Sequence, residues 1–132
     1  MTDDERASAG QAIQEQLWGE RAAAGSGPPA AQVAPDFFAW VKRACFGDVW
    51  SRPGLDLKSR SLATVAQLAA LGRTDELRAH LAGALRLGWR RAELVEVLVQ
   101  TACYAGIPAA VAALNAAEPV LGPSAPRDAA TP

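Results

Sequence analysis

The sequence predicts an all-α protein, a compact bundle of about six helices. Apolar residues recur at intervals of three and four along most of the chain, which is the spacing of one face of an α-helix. Glycine and proline interrupt these stretches at positions typical of helix ends. No segment alternates apolar and polar residues between hairpin turns, so we expect no strands.

Two helices are expected in the N-terminal part of the chain. The first runs from Asp3 to about Arg21, and a stretch rich in alanine, glycine and proline then predicts a flexible connector over residues 22–35. Asp36 is placed to cap a second helix that continues toward Phe46. Gly47 is expected to end this helix and to begin a loop.

Four further helices follow that loop. Asp56 or Ser59 is positioned to cap the first of them, and Thr74 is positioned to cap the second. The third is predicted from RRAELVEVLVQTACYAG and the fourth from IPAAVAALNAAEPVL, which carries a proline where the first helical turn tolerates one. Glycines mark the boundaries of these helices, at Gly72, Gly88 and Gly106.

Length and composition favour one ordinary folded domain over residues 1–121, with a disordered tail over 122–132. Half of the 132 residues are apolar, and 14 acidic residues nearly balance 13 basic ones, so binding to nucleic acid is not expected. No apolar run approaches the roughly 18 residues of a membrane helix, and the N-terminus does not resemble a signal peptide. We therefore expect a cytoplasmic protein that does not bind membranes.

Two features bear on cysteine chemistry and on assembly. Cys45 and Cys103 form neither a CxxC pair nor a metal-ligand cluster, so each is expected to be a buried apolar residue, and no metal site is predicted. The alanine-rich last helix and the apolar face from Leu94 to Ala102 require burial against other helices. We expect a homo-oligomer.

The single histidine of the chain, His80, lies in ELRAHLAGALRLG. Helical spacing places it on the same face as Leu77, Leu81 and Ala84, and it places Glu76 one turn earlier. A carboxylate beside an imidazole is the composition of a general acid/base pair. The same pair is equally compatible with a histidine that is partly buried and hydrogen-bonded, without catalysis.

A wider pattern resembles the carboxymuconolactone decarboxylase family, in its decarboxylase branch. The words GDVWSRPGLD, RSL, LAALGR, ELRAH and YAGIPAA occur in the family's order and spacing, and GQAIQEQLWGE is similar to its start. The resemblance covers roughly Glu5 to Leu121. It implies an all-helical fold of the alkylhydroperoxidase D type, assembled as homo-trimers or homo-hexamers with sites near subunit contacts.

The resemblance also implies a reaction, which is a step in the breakdown of aromatic acids through the β-ketoadipate pathway. The family's decarboxylases convert 4-carboxymuconolactone into 3-oxoadipate enol-lactone and carbon dioxide, without metal or organic cofactor. The peroxidase branch of the superfamily carries a CxxC before its histidine, and Arg73 and Glu76 occupy those positions here. Peroxide reduction by a dithiol is therefore not expected.

For this reaction His80 is the candidate general acid, and Glu76 would orient it or relay its proton. Arg52 and Arg60 coincide with the family words WSRPGL and RSL and are candidates for binding substrate carboxylates. The alternative for each arginine is that it ties the loop to a neighbouring acid such as Asp48 or Asp56.

Trp50 and Tyr104 are candidates for the pocket wall, with the Tyr104 phenol bonding a substrate carboxylate or carbonyl. Core packing is the commoner role of both residue types. The chain departs from the family where NGLT and PAAN are usual, since it carries Trp89 and Val111 there. These departures favour, as an alternative, an isomerase or cyclase of another enolisable substrate. A helical assembly module without catalysis is the other alternative, and it is favoured only if no concave pocket exists around His80.

Overall fold

The computed structural model describes residues 1–25 and 27–124, and all regular secondary structure in them is helical, which confirms the all-α prediction. This part of the chain holds eight α-helices and one π-helical segment, against about six helices expected, and two of the eight are single turns. In order they are α1 Asp3–Trp18, α2 Glu20–Ala23, α3 Ala30–Val33, α4 Pro35–Val41, the π-helical segment Lys42–Trp50, α5 Leu57–Leu71, α6 Thr74–Arg86, α7 Arg91–Tyr104 and α8 Ile107–Leu121. None of these described helices combines the length and the apolar character required to cross a bilayer.

The chain divides into two compact units, Met1–Arg60 and Ser61–Pro132. Residues 125–132 of the predicted disordered tail lie outside the described residues, as does Ser26 of the predicted connector. The rest of the connector includes the end of α2 and all of α3.

Two glycines allow close packing between α1 and the π-helical segment in the first unit. A Cβ atom added to Gly10 would overlap the carbonyl oxygen of Lys42, and one added to Gly47 would overlap the carbonyl oxygen of Arg6. Both glycines are buried. The absence of a side chain at these positions is therefore what lets the two backbones approach each other.

The helix predicted to end at Gly47 instead continues to Trp50. Gly47 is a packing residue rather than a helix terminator, and the Ser51 hydroxyl donates to its carbonyl oxygen. The loop is correspondingly shorter and spans residues 51–56. The predicted cap at Asp36 is also wrong, because α4 begins at Pro35, which needs no backbone donor in the first turn.

Leucine and alanine form the core of the second unit. Its fully or almost fully buried members come from four helices, Val65 and Ala69 of α5, Leu77, Leu81 and Ala84 of α6, Leu94 and Leu98 of α7, and Ala113, Ala116 and Ala117 of α8. Their spacing of three, four and seven residues is the periodicity from which the helices were predicted.

The helix boundaries of the second unit largely agree with the sequence. Gly72, Gly88 and Gly106 have φ values of 72°, 103° and 102°, in the left-handed region that favours glycine. The Asp56 carboxylate accepts from the Ser59 amide at 3.0 Å and so caps α5. Thr74 is the first residue of α6 rather than its cap, so that prediction is wrong.

Arg91 joins the start of α7 to the end of α8. Its Nε donates to the carbonyl oxygen of Leu121 at 3.0 Å, and its Nη2 donates to that of Gly122 at 3.0 Å. These carbonyls belong to the helix end where the macrodipole is negative, so a cation there is favourable. Arg91 thus closes the last turn of α8.

The burial predicted for the cysteines is wrong. Cys45 and Cys103 are both exposed free thiols. In α7 the buried stripe consists of Leu94, Leu98 and Thr101, and Cys103 lies off that stripe. An apolar helix buries only the face that contacts its neighbours, and composition alone does not identify this face.

Candidate active site

Helix α6 positions the Glu76 and His80 pair. Leu77, Leu81 and Ala84 have no exposed surface, and they fix the side of α6 that faces the core. His80 lies at the margin of this side and is partly buried. Its Nδ1 atom is buried, whereas Glu76, one turn earlier, is exposed.

The environment of His80 disfavours its charged form. Burial lowers the pKa of the imidazole from 6.5 to about 4, because the charged ring loses hydration, and the negative charge of Glu76 only partly opposes this shift. At neutral pH His80 is therefore an uncharged imidazole that can accept a proton at one nitrogen and donate a hydrogen bond from the other.

Arg60 holds the loop between the π-helical segment and α5. Its Nη2 donates to the carbonyl oxygens of Arg52 and Leu55, at 3.2 and 3.4 Å. The Arg52 side chain is exposed on this loop. The two arginine candidates are thereby linked, because the Arg60 guanidinium hydrogen-bonds the backbone of the loop that carries Arg52.

The two acids considered as partners for these arginines have other roles. Asp48 accepts from Arg6, with Nη2 to Oδ2 at 2.7 Å and Nε to Oδ1 at 2.9 Å. This guanidinium holds the pKa of Asp48 below its usual value. The Asp56 carboxylate caps α5, and its hydrogen bonds to Ser59 lower its pKa.

The two aromatic candidates lie in different environments. Trp50 is 7% exposed at the end of the π-helical segment, where its ring stacks on Phe46 with centroids 5.9 Å apart. It is therefore a core residue of the first unit as well as the residue just before the loop. Tyr104, the last residue of α7, is 88% exposed.

The candidates fall in both units. Trp50, Arg52 and Arg60 belong to the first unit, whereas Glu76, His80 and Tyr104 belong to the second. Within the second unit, Glu76 and His80 are brought together by one helical turn. Within the first, the hydrogen bonds of Arg60 bring its guanidinium to the loop that carries Arg52.

A surface groove in the first unit contains none of these candidates. It measures about 400 Å³ and is lined by residues of α1 and the π-helical segment, namely Ala7, Ser8, Gln11, Ala12, Glu15 and Lys42. In it the Lys42 ammonium donates to the Gln11 side-chain oxygen at 2.6 Å, and the Gln11 amide donates to Glu15 at 3.2 Å. The Gln11, Glu15 and Lys42 side chains of the groove are thus bonded to one another.

Ser61 is a polar residue at a core position that sequence reasoning missed. It has no exposed surface, and among the described residues its hydroxyl has no hydrogen-bond partner. It precedes Val65 and Ala69 at four-residue spacing, so all three share one face of α5. A serine in register with this apolar stripe was the signal that could have found it.

Metal ligands are not clustered in the described part of the chain. No three side chains of histidine, cysteine, aspartate or glutamate lie close enough there to hold an ion together. The cofactor-free chemistry expected from the sequence stays a prediction.

Comparison with known proteins identifies the family. Residues 35–119 match the carboxymuconolactone decarboxylase family. The chain is 40% identical to the 4-carboxymuconolactone decarboxylase of Acinetobacter baylyi over 120 residues, which cover 91% of this chain and 90% of that protein. It is 38% identical over 69 residues to a nitrosuccinic acid decarboxylase of Metarhizium robertsii, covering 52% of this chain and 48% of that protein. It is also 35% identical over 91 residues to an uncharacterized 15.0 kDa protein of Paracoccus denitrificans, covering 67% and 68%. The chain therefore belongs to the carboxymuconolactone decarboxylase family.

Proposed function

We propose that this protein is a cofactor-free carboxy-lyase that converts 4-carboxymuconolactone into 3-oxoadipate enol-lactone and carbon dioxide. The observation that carries the proposal is the 40% identity to a 4-carboxymuconolactone decarboxylase over 91% of the chain. A partly buried imidazole with a carboxylate one turn away supports it, because the reaction needs a group that handles protons.

The reaction places two demands on the site. The bond between the ring carbon and the departing carboxylate breaks, and its electron pair is delocalised through the unsaturated ring toward the lactone carbonyl. Carbon dioxide leaves, and the resulting dienolate takes one proton at carbon. The enzyme must therefore stabilise negative charge and then deliver that proton.

We assign proton delivery to His80 and its orientation to Glu76. The imidazole is uncharged in the free protein because its pKa is about 4. A substrate with two carboxylates brings negative charge against this buried ring, which raises its pKa and favours the imidazolium. Binding of the substrate thus favours protonation of His80 in the complex, in which the proton is then transferred to the substrate carbon.

Arg52 and Arg60 are the proposed carboxylate-binding residues. Arg52 is exposed and belongs to a loop that Arg60 anchors through two carbonyl oxygens. A guanidinium on an anchored loop loses less conformational freedom when it binds a carboxylate. Trp50 supports this loop from the core, and the exposed Tyr104 is proposed to offer its phenol to the substrate.

Turnover of enzymatically generated 4-carboxymuconolactone, followed by ultraviolet absorbance, tests the proposal. We expect activity in the wild type and a loss of about 100-fold to 10,000-fold in His80→Ala, with unchanged circular dichroism and assembly. Glu76→Gln should lose activity as well. Asp75→Asn is the matched control, because Asp75 is the neighbouring acid in the first turn of α6. Lack of wild-type turnover, or full activity in His80→Ala, would contradict the proposal.

The similarity to a nitrosuccinic acid decarboxylase favours a second substrate. Loss of carbon dioxide from the carbon that bears the nitro group sends the electron pair into that group, and the carbon then takes a proton. The demands on the site are the same, so nitrosuccinate belongs in the same assay. If neither compound is consumed, an isomerase or cyclase, or a module without catalysis, becomes the better interpretation.

We also propose that the chain is a homo-oligomer, a trimer or a hexamer, located in the cytoplasm. Support comes from an exposed apolar stripe on α8, formed by Ile107, Val111 and Leu114, which are 70%, 50% and 37% exposed. Their spacing of four and three residues puts them on one face of the helix. Analytical ultracentrifugation should find an oligomer in the wild type and a smaller species in Val111→Lys.

A further inference from the structure

Two hydroxyl groups are buried in the described part of the second unit, and they differ in their bonding. The Thr101 hydroxyl donates to the carbonyl oxygen of Val97, one turn earlier in α7, at 3.3 Å. This bond within the helix is the usual way to satisfy a buried hydroxyl. The Ser61 hydroxyl, with no exposed surface at its residue, makes no hydrogen bond to any described residue.

The position of Ser61 relates it to the candidate active site. Ser61 lies one helical turn before Val65, and Val65 belongs to the same buried cluster as Leu81 of α6. His80 directly precedes Leu81 and lies at the margin of the same side of α6. Ser61 and His80 are therefore each a neighbour, along their own helix, of a residue in one buried apolar cluster of the second unit.

We propose that Ser61 is a substrate-binding residue of the site around His80, and that its hydroxyl donates a hydrogen bond to a substrate carboxylate. This assignment rests on the proposed function. A buried hydroxyl without a partner destabilises the protein on its own, since it has lost its hydrogen bonds to water. A carboxylate oxygen that enters the site restores the missing bond, and bonds to charged acceptors are the stronger ones.

A serine is suited to this task beside a histidine that must change charge. Its hydroxyl is a neutral donor, so it binds a carboxylate without adding a further positive charge to those of the proposed Arg52 and Arg60. The structural alternative is that an ordered water bonds the hydroxyl in the free protein and in the complex alike.

Kinetics of Ser61→Ala and Thr101→Val with 4-carboxymuconolactone separate these roles. Loss of a hydrogen bond to a charged group should raise KM by about 10-fold or more in Ser61→Ala, with a much smaller change in kcat. The melting temperature of the free variant should rise, because an unpartnered polar group has been removed. Thr101→Val, which removes a bonded hydroxyl, should lower the melting temperature and leave KM unchanged.

A second measurement does not depend on turnover. In the His80→Gln background, 4-carboxymuconolactone should raise the melting temperature, and this rise should shrink when Ser61→Ala is added. If Ser61→Ala folds poorly, Ser61→Cys is measured instead, because a thiol is similar in size to the hydroxyl but is a weaker hydrogen-bond donor. Ser61→Cys should also raise KM.

The outcomes distinguish a failure of the Ser61 assignment from a failure of the proposed function. Wild-type turnover with an unchanged KM in both Ser61 variants would overturn this assignment alone. A fall in melting temperature of Ser61→Ala without any change in KM would indicate the structural water and would also overturn it. Lack of wild-type turnover would overturn the proposed function and this assignment with it.

Discussion

The two units of the chain hold their ionisable groups in opposite ways. In the first unit Asp48 is exposed and paired with Arg6, and this partner lowers the pKa of Asp48 and so favours its charged form. In the second unit burial lowers the pKa of His80 and so favours its uncharged form, although Glu76 lies one turn away. Both pKa values fall, yet one charge is stabilised and the other is suppressed. Desolvation outweighs a nearby opposite charge when the carboxylate that provides it is exposed to water.

The units also differ in how they are packed. The first unit brings α1 and the π-helical segment together through backbone contacts at Gly10 and Gly47. The second unit packs leucine and alanine side chains from four helices into one cluster. The apolar cluster gives His80, at its margin, surroundings of low polarity. The glycine contacts of the first unit bring two helical backbones together but do not create an apolar environment of this kind.

Truncation of a core leucine should have the largest effect on stability. Leu81 has no exposed surface, and Leu81→Ala should lower the free energy of unfolding by about 2–5 kcal/mol, through lost burial and the cavity left behind. Leu55→Ala, in the exposed loop of the first unit, should change it by less than about 0.5 kcal/mol. Urea denaturation at fixed protein concentration measures both. Equal losses in the two variants would contradict the contrast in packing.

Acid should destabilise the protein through His80. The folded pKa of about 4 lies below the ordinary 6.5, so the unfolded state binds more protons between these values and stability falls as the pH drops through them. The contribution is on the order of 3 kcal/mol in total, because a shift of one pKa unit corresponds to about 1.4 kcal/mol. His80→Gln should lack this part of the pH dependence. The difference in unfolding free energy between wild type and variant, measured from pH 7 to pH 4, would be constant if the interpretation were wrong.

Adding a methyl group at the glycine contact should disturb the first unit. Gly47→Ala places a Cβ against the Arg6 carbonyl, and we expect a loss of about 1–3 kcal/mol, despite the higher helix propensity of alanine. Gly54→Ala is the matched control, because nothing lies within 4 Å of its added Cβ. Thermal unfolding by circular dichroism compares them. A Gly47→Ala variant as stable as Gly54→Ala would show that the backbones separate without cost.

The smallest effect should come from the exposed ion pair. Asp48→Asn removes the charge partner of Arg6 where both side chains contact water. Such pairs contribute little, and salt screens them. We expect a slight fall in the melting temperature at low ionic strength that disappears in 1 M salt. A difference that persists in high salt would mean that the pair acts through geometry rather than charge.

These contrasts explain which parts of the fold the sequence could predict. Gly72, Gly106 and Pro108 mark helix boundaries for local reasons, so the helices around them were predicted correctly. Gly47 gives the same local signal but serves a contact with α1, about forty residues away in sequence. A pattern read along the chain does not distinguish a glycine that ends a helix from one that admits a neighbour.

The features of the candidate site also divide into those that local sequence spacing predicts and those that depend on other parts of the fold. The face of α6 that carries His80 follows from the spacing of Leu77, Leu81 and Ala84, and the structure confirms it. The depression of the His80 pKa and the isolation of the Ser61 hydroxyl arise from burial by other elements, so only the folded chain reveals them. The hydrogen bonds of Arg60 to loop carbonyls were not among the partners considered from sequence.

The glycine contacts determine where the chain can change length. Gly10 meets Lys42 and Gly47 meets Arg6, so the two segments run in opposite directions with their register fixed at two points. One residue inserted between positions 6 and 10 would rotate α1 by about 100° between the two contacts and place a side chain against a carbonyl at one of them. Insertions between α2 and α3 leave both contacts aligned. Length variation in this half of the molecule should therefore be accepted in the segment between α2 and α3 and rejected within α1 and the π-helical segment.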